Sequence, residues 1–446
     1  MASLRRGAIG AGVSEPATPL QIPDYRRYWV ARFLAVFATI SMVVLLGYQT
    51  YDIARADYGM TRPQAAFQLG LLGLVQFVPL LLLTPLAGLA ADRFDRRRVV
   101  LAANLVDAFI AAALAWMTWQ DALTLPIVFA LAALHGGARV FNGPALSAIA
   151  PNIVPARLLP RAIALGSIAW QAGSVVGPFA GGLMFEHERA LPYAVSVVLL
   201  VVSGLLIQTI RPVRAKHEGP PVHPFRQMAD GFRFVTKERF LLGCITLDLF
   251  AVILAGATAL LPVYARDILN VGADGLGLMR GAIALGAAVV ALYLSFRPLE
   301  NNVGVKMLWA VVVFGAVTIA FAVSTNFYLS LALLVTLGAA DMISVFIRSS
   351  LVQLYTPDQM RGRVSSISGL AISASNELGE LQSGLAAAIM GTVGAVIFGG
   401  VGAIVVTGLW AVIFPELRRA RTFAVKYDEA PARRTAQAIE ESEPAP

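Results

Sequence analysis

The stretch that decides the fold of this chain is Gly88-Leu-Ala-Ala-Asp-Arg-Phe-Asp-Arg-Arg-Arg98. It lies between two apolar runs, over 69–91 and 99–117. Each run has the length of about 20 residues that an α-helix needs to cross a bilayer. Four arginines and two aspartates therefore occupy a very short connection between two candidate membrane helices. Short basic loops stay in the cytoplasm, so this loop fixes the topology of its neighbours.

Composition extends this interpretation to the whole chain. The 446 residues are 57% hydrophobic and only 14% charged, and the mean hydropathy is +0.71. Soluble proteins average about 25% charged residues, so lipid must act as part of the solvent here. The single cysteine, Cys244, allows no disulfide within the chain and no cysteine metal cluster. We therefore expect no metal and no cofactor.

The apolar runs predict an all-α, polytopic membrane protein with twelve transmembrane helices in two six-helix bundles. The predicted spans are 28–50, 67–91, 99–118, 124–147, 160–183, 190–210, 240–265, 276–296, 304–324, 327–352, 364–389 and 393–415.

Polar segments divide the chain into domains. Residues 1–27 are predicted to be a cytoplasmic N-tail, and the bundles occupy 28–210 and 240–415. The cytoplasmic linker 211–239 ends in a predicted amphipathic helix over 227–240, which we expect along the membrane surface. The charged, Ala- and Pro-rich C-tail, 416–446, is expected to be disordered.

The distribution of basic residues predicts the orientation. With both chain ends inside, 27 of the 35 Lys and Arg residues fall in cytoplasmic segments and four fall outside. The four outside residues are Arg55, Arg62, Arg189 and Arg266. This asymmetry favours an even number of spans with both termini in the cytoplasm. It also accounts for the net charge of +8 without any nucleic-acid partner.

The basic loop resembles the loop signature of the major facilitator superfamily, G-x-x-x-D-R-x-G-R-[KR]-[KR]. Asp95 stands where that signature has its second glycine. The resemblance implies that Asp92 meets the N-terminus of helix 11, near 365–368, as a latch between the two halves. The gating-loop candidates are Gly88, Asp92, Arg93, Arg96, Arg97 and Arg98.

Arg139 lies inside the fourth span, where an arginine costs at least ~2.5 kcal/mol and needs a partner or a wet cavity. The segment Arg139-Val-Phe-Asn142-Gly143 resembles the superfamily motif R-x-x-Q-G, which is linked to proton coupling. A structural arginine paired with a carboxylate of a neighbouring helix, such as Asp107, is the alternative.

Carboxyl groups inside the spans are further candidates for proton coupling, because low polarity favours their neutral form. Glu377 and Glu380 share one helix face. Asp341 and Arg348 lie about 10 Å apart along their helix, which is too far for direct pairing. Each acid could instead be a polar contact between helices, and Asp248 could simply be wet. The proton-coupling candidates are Arg139, Asp107, Asp248, Asp341, Glu377 and Glu380.

The fifth span contains a cluster of small residues around a proline. Small residues four apart let helices pack closely, and Pro178 invites a bend. The order resembles part of the antiporter signature, G-x-x-x-G-P-x-x-G-G, of superfamily exporters, although Ala164 replaces its upstream glycine. The resemblance favours export, whereas ordinary helix packing is the alternative. The residues are Gly173, Gly177, Pro178, Gly181 and Gly182.

Polar and aromatic residues elsewhere are candidates for a cavity that holds an amphipathic substrate. They are Tyr48, Gln49, Gln76 and Gln171, with His135 as a further polar residue. Hydrogen bonding between helices is the alternative for each of them. No second histidine lies near His135, which argues against a metal site.

Four further runs, 25–29, 47–52, 247–252 and 374–380, are similar to one bacterial branch of the superfamily. This branch contains the enterobactin exporters and is called the transmembrane secretion effector group. The resemblance implies proton-driven efflux of a small molecule, with a siderophore or a drug-like compound as candidate cargo. We further expect a monomer in the bacterial inner membrane, with protons and the bilayer as its other partners.

Two other classes of function are alternatives to efflux. An importer of a sugar or organic acid would use the same fold. A membrane-embedded metalloprotease would carry His-Glu-x-x-His, but Leu191 stands where the second histidine after His187-Glu188 belongs. We therefore do not expect an enzyme.

Overall fold

The structure is a computed structural model that describes residues 16–212, 224–297, 299 and 301–423. Helices and turns, with no strand, make up these described residues. Most of the predicted N-tail, the middle of the linker and the C-tail beyond residue 423 lie outside them.

Eleven of the described helices are long and apolar enough to cross a membrane. Some helices extend beyond the predicted spans, as over 23–56 against 28–50, because polar residues continue them past the apolar runs. Others end earlier, as over 303–322 against 304–324. The helices are α1 (Pro23–Ala56), α2 (Arg62–Arg93), α3 (Arg96–Trp119), α4 (Leu125–Ile153), α5 (Leu159–His187), α6 (Leu191–Gln208), α7 (Pro224–Lys237), α8 (Arg239–Leu254), α9 (Gly272–Phe296), α10 (Val303–Ala322), α11 (Phe327–Leu354), α12 (Arg361–Ile413) and α13 (Pro415–Arg419). Two of them, α7 and α13, are shorter helices that are not among these eleven.

The twelfth crossing lies within α12. Its 53 residues would span ~80 Å as one rod, far more than the ~30 Å hydrocarbon core. Gly391 has φ 79°, a left-handed conformation that glycine adopts without steric cost, and the chain turns there. Segments 361–390 and 392–413 are therefore two spans, and the prediction of twelve transmembrane helices is confirmed.

The seventh span is broken, whereas the sequence predicted one run over 240–265. Helix α8 ends at Leu254, and short turns over Ala257–Leu260, Leu261–Val263 and Tyr264–Ile268 complete the crossing. A Cβ atom on Gly256 would lie 2.5 Å from the Gly379 carbonyl of α12. The break therefore packs against protein, which is where irregular backbone is tolerated at membrane depth.

The helices form two bundles, α1–α6 and α8–α12. The bundles meet where α2 packs on the first segment of α12 and where α5 packs on α9. We call the end that carries both described chain ends the terminal end, and the opposite end the distal end. Contacts that gather the polar segments at the terminal end are Arg157 with Pro16, Arg211 with Asp24, Arg239 with Glu416, and Val303 with Arg421.

The amphipathic helix α7 begins and ends three residues earlier than predicted. It ends at Lys237 because Glu238 takes an extended conformation before α8 begins. Gly231 allows close approach to α12, since a Cβ there would lie 3.0 Å from the Arg363 carbonyl. Asp230 pairs with Arg363 at 3.5 Å, so α7 is held against the second bundle.

The predicted disordered tail starts with ordered structure, which corrects the prediction for residues 416–423. Leu417 of α13 is fully buried, and the Gly304 N–H donates to the Ala420 carbonyl at 2.9 Å. Composition indicated a solvated tail, but one apolar side chain fixes its first residues on α10. Residues 424–446 of the predicted tail lie outside the described residues.

Asp95 serves as the N-cap of α3. Its carboxylate accepts from the Arg97 N–H at 3.0 Å and pairs with the Arg97 guanidinium at 2.7 Å. Its φ of −60° shows that this position does not require the glycine of the signature. Partial burial works to raise the Asp95 pKa, but the hydrogen bonds and charges of Arg97 hold it below the ordinary value of 3.8.

Replacing this cap is expected to lower stability modestly. Asp95→Ala should cost about 1 kcal/mol of the free energy of unfolding at neutral pH. Because the folded pKa is lowered, the charge contribution is complete above the unfolded value and is lost as pH falls through the folded value. Thermal unfolding of purified protein measures both effects. Asp95→Asn keeps the cap and should lose only the pH dependence; equal losses in both variants would contradict the capping role.

Candidate functional site

An ion pair joins the two bundles within the membrane region. Arg139 of α4 donates to the carboxylate of Glu377 on α12. The Glu377 residue is only 5% exposed, whereas the Arg139 side chain keeps 37% of its surface exposed. Arg139 does have a carboxylate partner on another helix, but this is Glu377 of the opposite bundle and not Asp107, the partner suggested in the structural alternative.

Asp107 has a different partner. Its carboxylate lies 2.8 Å from His135 Nδ1, and both residues are fully buried between α3 and α4. His135 lies one helical turn before Arg139 on α4 and faces α3, where it pairs with the Asp107 carboxylate. One turn further along, Asn142 donates to Asn104 at 2.9 Å. Asp107 and His135 thus form a polar contact inside the first bundle.

Glu380 lies one turn beyond Glu377, at the same bundle interface. A Cβ on Gly73 of α2 would lie only 2.8 Å from Glu380 Oε2, so Gly73 leaves the space that this carboxyl fills. The charges of Arg280 on α9 and of Arg139 both act on Glu380. Arg280 also donates to the Thr258 carbonyl in the broken span at 3.0 Å. Glu377 and Glu380 of α12 and Arg139 of α4 therefore place charges from both bundles at this interface.

A second ion pair lies inside the second bundle. Arg348 of α11 donates to Asp248 of α8, and both residues are buried. The expectation that Asp248 is simply wet is wrong, because its helix starts nine residues earlier and packs against α11. Asp341 is exposed and, among the described residues, has neither a hydrogen-bond nor an ion-pair partner. These side chains line a cavity of about 20 Å³, enough for one water molecule.

Ion pairs also seal the distal end. Asp267, in the last turn of the broken span, accepts from the Tyr51 hydroxyl at 2.7 Å and pairs with Arg55 and Arg62 at 3.2 Å each. Asp52 pairs with Arg266 at 3.0 Å and with Arg189 at 3.6 Å. Three of these ion pairs and the tyrosine bond cross between the bundles.

The sequence contains a signal for this seal in the residues that break the positive-inside rule, although their pairing was not predicted. The four basic residues on the side where that rule expects few are the four that form the seal: Arg55, Arg62, Arg189 and Arg266. Each of these four arginines has an aspartate partner, and these ion pairs explain why basic residues occur on that side.

The small residues of α5 serve two interfaces. Gly173, Gly177 and Gly181 face α1, where Cβ atoms would lie within 2.8 Å of side-chain or backbone atoms of the first bundle. Gly182 faces the second bundle, and a Cβ there would lie 2.5 Å from the Ala273 carbonyl of α9. A Cβ on Gly277 of α9 would in turn overlap the Pro178 carbonyl. The cluster thus brings α5 close to α1 and close to α9.

Gly182→Val is expected to prevent the distal end from closing, since its side chain would overlap the α9 backbone. Labelling of a cysteine at position 47, which faces Pro262 across the interface, reports this opening in a Cys244→Ser background. We expect at least about tenfold faster labelling, the effect of roughly 1.4 kcal/mol. Gly408→Ala, at a position with open space around it, is the matched control. An unchanged labelling rate in Gly182→Val would contradict the role of Gly182.

The two bundles are packed differently at their two ends. In the distal half, Gly70 of α2 and Gly384 of α12 are in direct backbone contact. Toward the terminal end, Gly88 of α2 and Gly369 of α12 have no atom within 4 Å of a Cβ position. The structure is therefore closed at the distal end and has room between α2 and α12 at the terminal end.

The basic loop is tied into the first bundle. Arg96 donates to the Ala148 carbonyl of α4 at 3.0 Å, and Arg97 donates to the Gln208 and Ile210 carbonyls at the end of α6. Cations at helix C-termini satisfy carbonyls that lack partners within the helix. Arg93 and Arg98 are exposed. The Asp92 side chain lies outside the described residues, so the expected latch stays a prediction.

Two of the cavity candidates lie in helix packing. Gln49 is buried and bonds to Thr118 and Tyr193, at 3.0 and 2.8 Å. Gln76 is 3% exposed and donates weakly to the Leu72 carbonyl of its own helix. Neither faces a cavity in this conformation, because partners in the first bundle bury them.

The other two cavity candidates lie nearer the bundle interface. Gln171 donates to the Ala284 carbonyl of α9 at 2.7 Å, which joins the two bundles near their centre. Tyr48 is partly buried and packs edge-on against Phe185. Groups of three or more potential metal ligands are absent from the described residues.

Comparison with protein families identifies related sequences over almost the whole chain. Residues 14–440 match the model of a family described as transmembrane secretion effector. The enterobactin exporter EntS of Escherichia coli O1:K1 is 24% identical over 374 residues, which cover 83% of this chain and 85% of that protein. The same exporter from Shigella boydii serotype 18 is 24% identical over 373 residues, with the same coverage.

Solved structures share the fold. A POT family transporter in complex with 5-aminolevulinic acid aligns with a TM-score of 0.69 and 12% identity, covering 88% of this chain and 96% of that chain. A bacterial homolog of the human lysosomal transporter Spinster, inward-facing and occupied, aligns with a TM-score of 0.66 and 13% identity, covering 90% and 97%. At these identities the likeness concerns the fold alone.

Proposed function

Since the chain belongs to the transmembrane secretion effector family of the major facilitator superfamily, we propose that it exports a small molecule from the bacterial cytoplasm in exchange for protons. Transport proceeds by alternating access between the two bundles. The terminal end faces the cytoplasm and the distal end faces outward, in line with the distribution of basic residues. The conformation described here, closed at the distal end, is then the one that takes up cargo from the cytoplasm.

The observation that carries the proposal is the Arg139–Glu377 ion pair between the bundles. When the two bundles rock against each other, the contacts that cross the interface must break at the end that opens. A charge-assisted hydrogen bond contributes roughly 1.5–3 kcal/mol. With both partners charged and nothing bound, this pair opposes the movement of the empty transporter.

Two events can break the pair. A proton on Glu377 removes its negative charge, and a cargo group that binds Arg139 or Glu377 competes with the partner. The transporter therefore changes state when it carries either a proton or a cargo molecule, but not when it is empty. This rule produces exchange, because a transporter that has released its cargo can return only with a proton bound, and one that has released its proton can return only with cargo bound.

Glu380 and Arg280 extend this site. Both belong to the second bundle. Glu380 lies one turn from Glu377 and fills the space at Gly73, and Arg280 lies beside the broken span. A carboxyl in this position can accept the proton in place of Glu377, or share it. Asp341, exposed and unpaired among the described residues, is a second position where a proton or a cationic group of a cargo would be stabilised.

The names of the curated relatives are the only basis for proposing a class of cargo. The curated relatives are enterobactin exporters, so a siderophore-like compound is the first cargo to test. Import of a metabolite on the same fold is the alternative. We also propose that the protein works as a monomer, since both bundles and the ion pair between them belong to one chain.

A comparison of metabolites tests the proposal. The culture medium and cell extracts of a deletion strain are compared with those of its parent, with siderophores measured among them. Export predicts a compound that accumulates in the deletion cells and is missing from their medium. Everted vesicles should then take up that compound when their interior is acidified and lose it when the pH gradient is collapsed. A compound that is depleted inside the deletion cells would instead support import.

A further inference from the structure

A groove of about 460 Å³ lies at the terminal end of the second bundle, away from the interface between the bundles. Its walls come from the junction of α7 with α8, the end of α11 and the C-terminal helix α13. Three basic, two acidic and two aromatic residues line it: Lys237, Arg239, Arg419, Glu238, Glu416, Phe240 and Tyr355.

Ring stacking and an ion pair hold the side chains at the floor of the groove. The rings of Phe240 and Tyr355 stack with their centroids 4.1 Å apart. Arg239 is held by Glu416 at 3.1 Å and donates to the Ile413 carbonyl at 2.9 Å. Its guanidinium also lies over the Phe414 ring. The Arg239 charge is thus matched by Glu416 and is not available to a ligand.

Two cations at the rim remain unmatched. Lys237 and Arg419 are both exposed, and neither has a hydrogen-bond or ion-pair partner among the described residues. Each belongs to a different wall, one at the end of α7 and the other at the end of α13. An anion in the groove would therefore be approached by positive charge from two sides.

Exposed apolar side chains lie close to the groove along the chain. Val412 and Ile413, the last two residues of α12, are 72% and 50% exposed. Trp410 lies one turn earlier, and tryptophan is typical of the zone where acyl chains meet headgroups. An acyl chain along Val412 and Ile413 would place its headgroup at the level of the groove.

We propose that this groove binds the headgroup of an anionic phospholipid, with the phosphate between Lys237 and Arg419 and the glycerol against the Phe240–Tyr355 floor. Basic pockets at the cytoplasmic ends of membrane helices have this chemistry. A bound lipid would fasten the end of α7 to α13, and so fix the linker between the two bundles. Lipid binding here is independent of the cargo and of the direction of transport.

Lipid binding to the purified full-length protein tests the proposal. Native mass spectrometry in detergent compares phosphatidylglycerol with phosphatidylcholine of the same acyl chains. We expect phosphatidylglycerol to bind at least about tenfold more tightly, the effect of two basic residues near one anionic headgroup. Equal affinity for the two lipids would overturn the proposal.

Charge-matched variants locate the site. Lys237→Gln with Arg419→Gln should remove the preference for phosphatidylglycerol. Arg297→Gln with Lys306→Gln removes the same charge from exposed positions at the same end and should keep the preference. Loss of the preference in both double variants, or in neither, would contradict the assignment. Thermal unfolding in phosphatidylcholine checks that the first variant is folded; if it is not, each single substitution is tested and should lose part of the preference.

A competition arm distinguishes a lipid from a free anion. Inorganic phosphate at millimolar concentration should not displace bound phosphatidylglycerol, because it lacks the acyl chains that lie on the apolar wall. Displacement at that concentration would show a site for a free phosphate group and would overturn the lipid assignment.

Discussion

Glu377→Gln is expected to abolish exchange of cargo for protons while the protein stays inserted and folded. The substitution keeps the size of the side chain but fixes it in a neutral form, so Arg139 loses its charged partner at every pH. Proton-driven uptake of the cargo into everted vesicles should fall at least about tenfold, the effect of losing a charge-assisted hydrogen bond. Movement of cargo down its own gradient should continue, because the empty and the loaded states are no longer distinguished.

Two controls make this prediction specific. Asp57→Asn removes an exposed carboxyl at the distal end that has no partner among the described residues, and it should leave transport unchanged. The double variant Arg139→Gln with Glu377→Gln should be no worse than Glu377→Gln alone if the two residues act as one pair. Additive losses, or full proton-driven transport by Glu377→Gln, would contradict the role of the pair.

Asp267→Ala is expected to open the distal seal. Its carboxylate meets Tyr51, Arg55 and Arg62 of the first bundle, so its removal deletes three contacts and leaves two arginines facing each other. The closed state should lose at least ~1.5–3 kcal/mol, which shifts the population toward the outward-open state by tenfold or more. Cargo binding from the cytoplasmic side should weaken by the same factor.

Cysteine accessibility measures this shift. A cysteine at position 47 in a Cys244→Ser background should react at least about tenfold faster with a membrane-impermeant reagent added from outside. Asp57→Ala, one residue past the end of α1, is the control and should not change the rate. A slow, unchanged rate in Asp267→Ala would show that packing of α5 on α9 and of α2 on α12 is sufficient to hold the distal end closed.

The helices could be predicted from the sequence because lipid makes apolar length decisive. A crossing needs about 20 apolar residues, and the chain shows this pattern twelve times. The division between the eleventh and twelfth crossings near Gly391 could also be predicted, since the predicted spans end at 389 and begin again at 393. The break in the seventh span was not predicted, although Gly256 and Pro262 lie within it, because membrane helices tolerate both residues where neighbouring helices satisfy the backbone.

Pairing of buried charges could be predicted only in part. Sequence identified Arg139 as a residue that needs a partner or a wet cavity, and the intramembrane acids as proton carriers or polar contacts between helices. The partner of each depends on which helix faces meet. Arg139 points across the bundle interface, whereas His135, one turn away, points into its own bundle. A difference of one helical turn therefore decided between the predicted Asp107 and the observed Glu377.

The distal seal shows a different limit. Arg55 and Arg62 lie at the facing ends of α1 and α2. Arg266 and Asp267 lie together in the last turn of the broken span. Nothing in helical periodicity places these residues together. Packing of the two bundles brings Asp267 to Arg55 and Arg62, and Arg266 to Asp52. Arg189 reaches Asp52 within the first bundle.

Release of the two bundles by protonation of Glu377 can be tested without knowing the cargo. Spin labels at Tyr58 and Val323, exposed positions at the distal end of the first and the second bundle, report the separation of the bundles in a Cys244→Ser background in lipid. We expect one short distance at high pH, a second and longer distance that grows as pH falls, and both distances at every pH in Glu377→Gln. A distribution that ignores pH in the wild type, or a Glu377→Gln variant that follows pH as the wild type does, would contradict this mechanism.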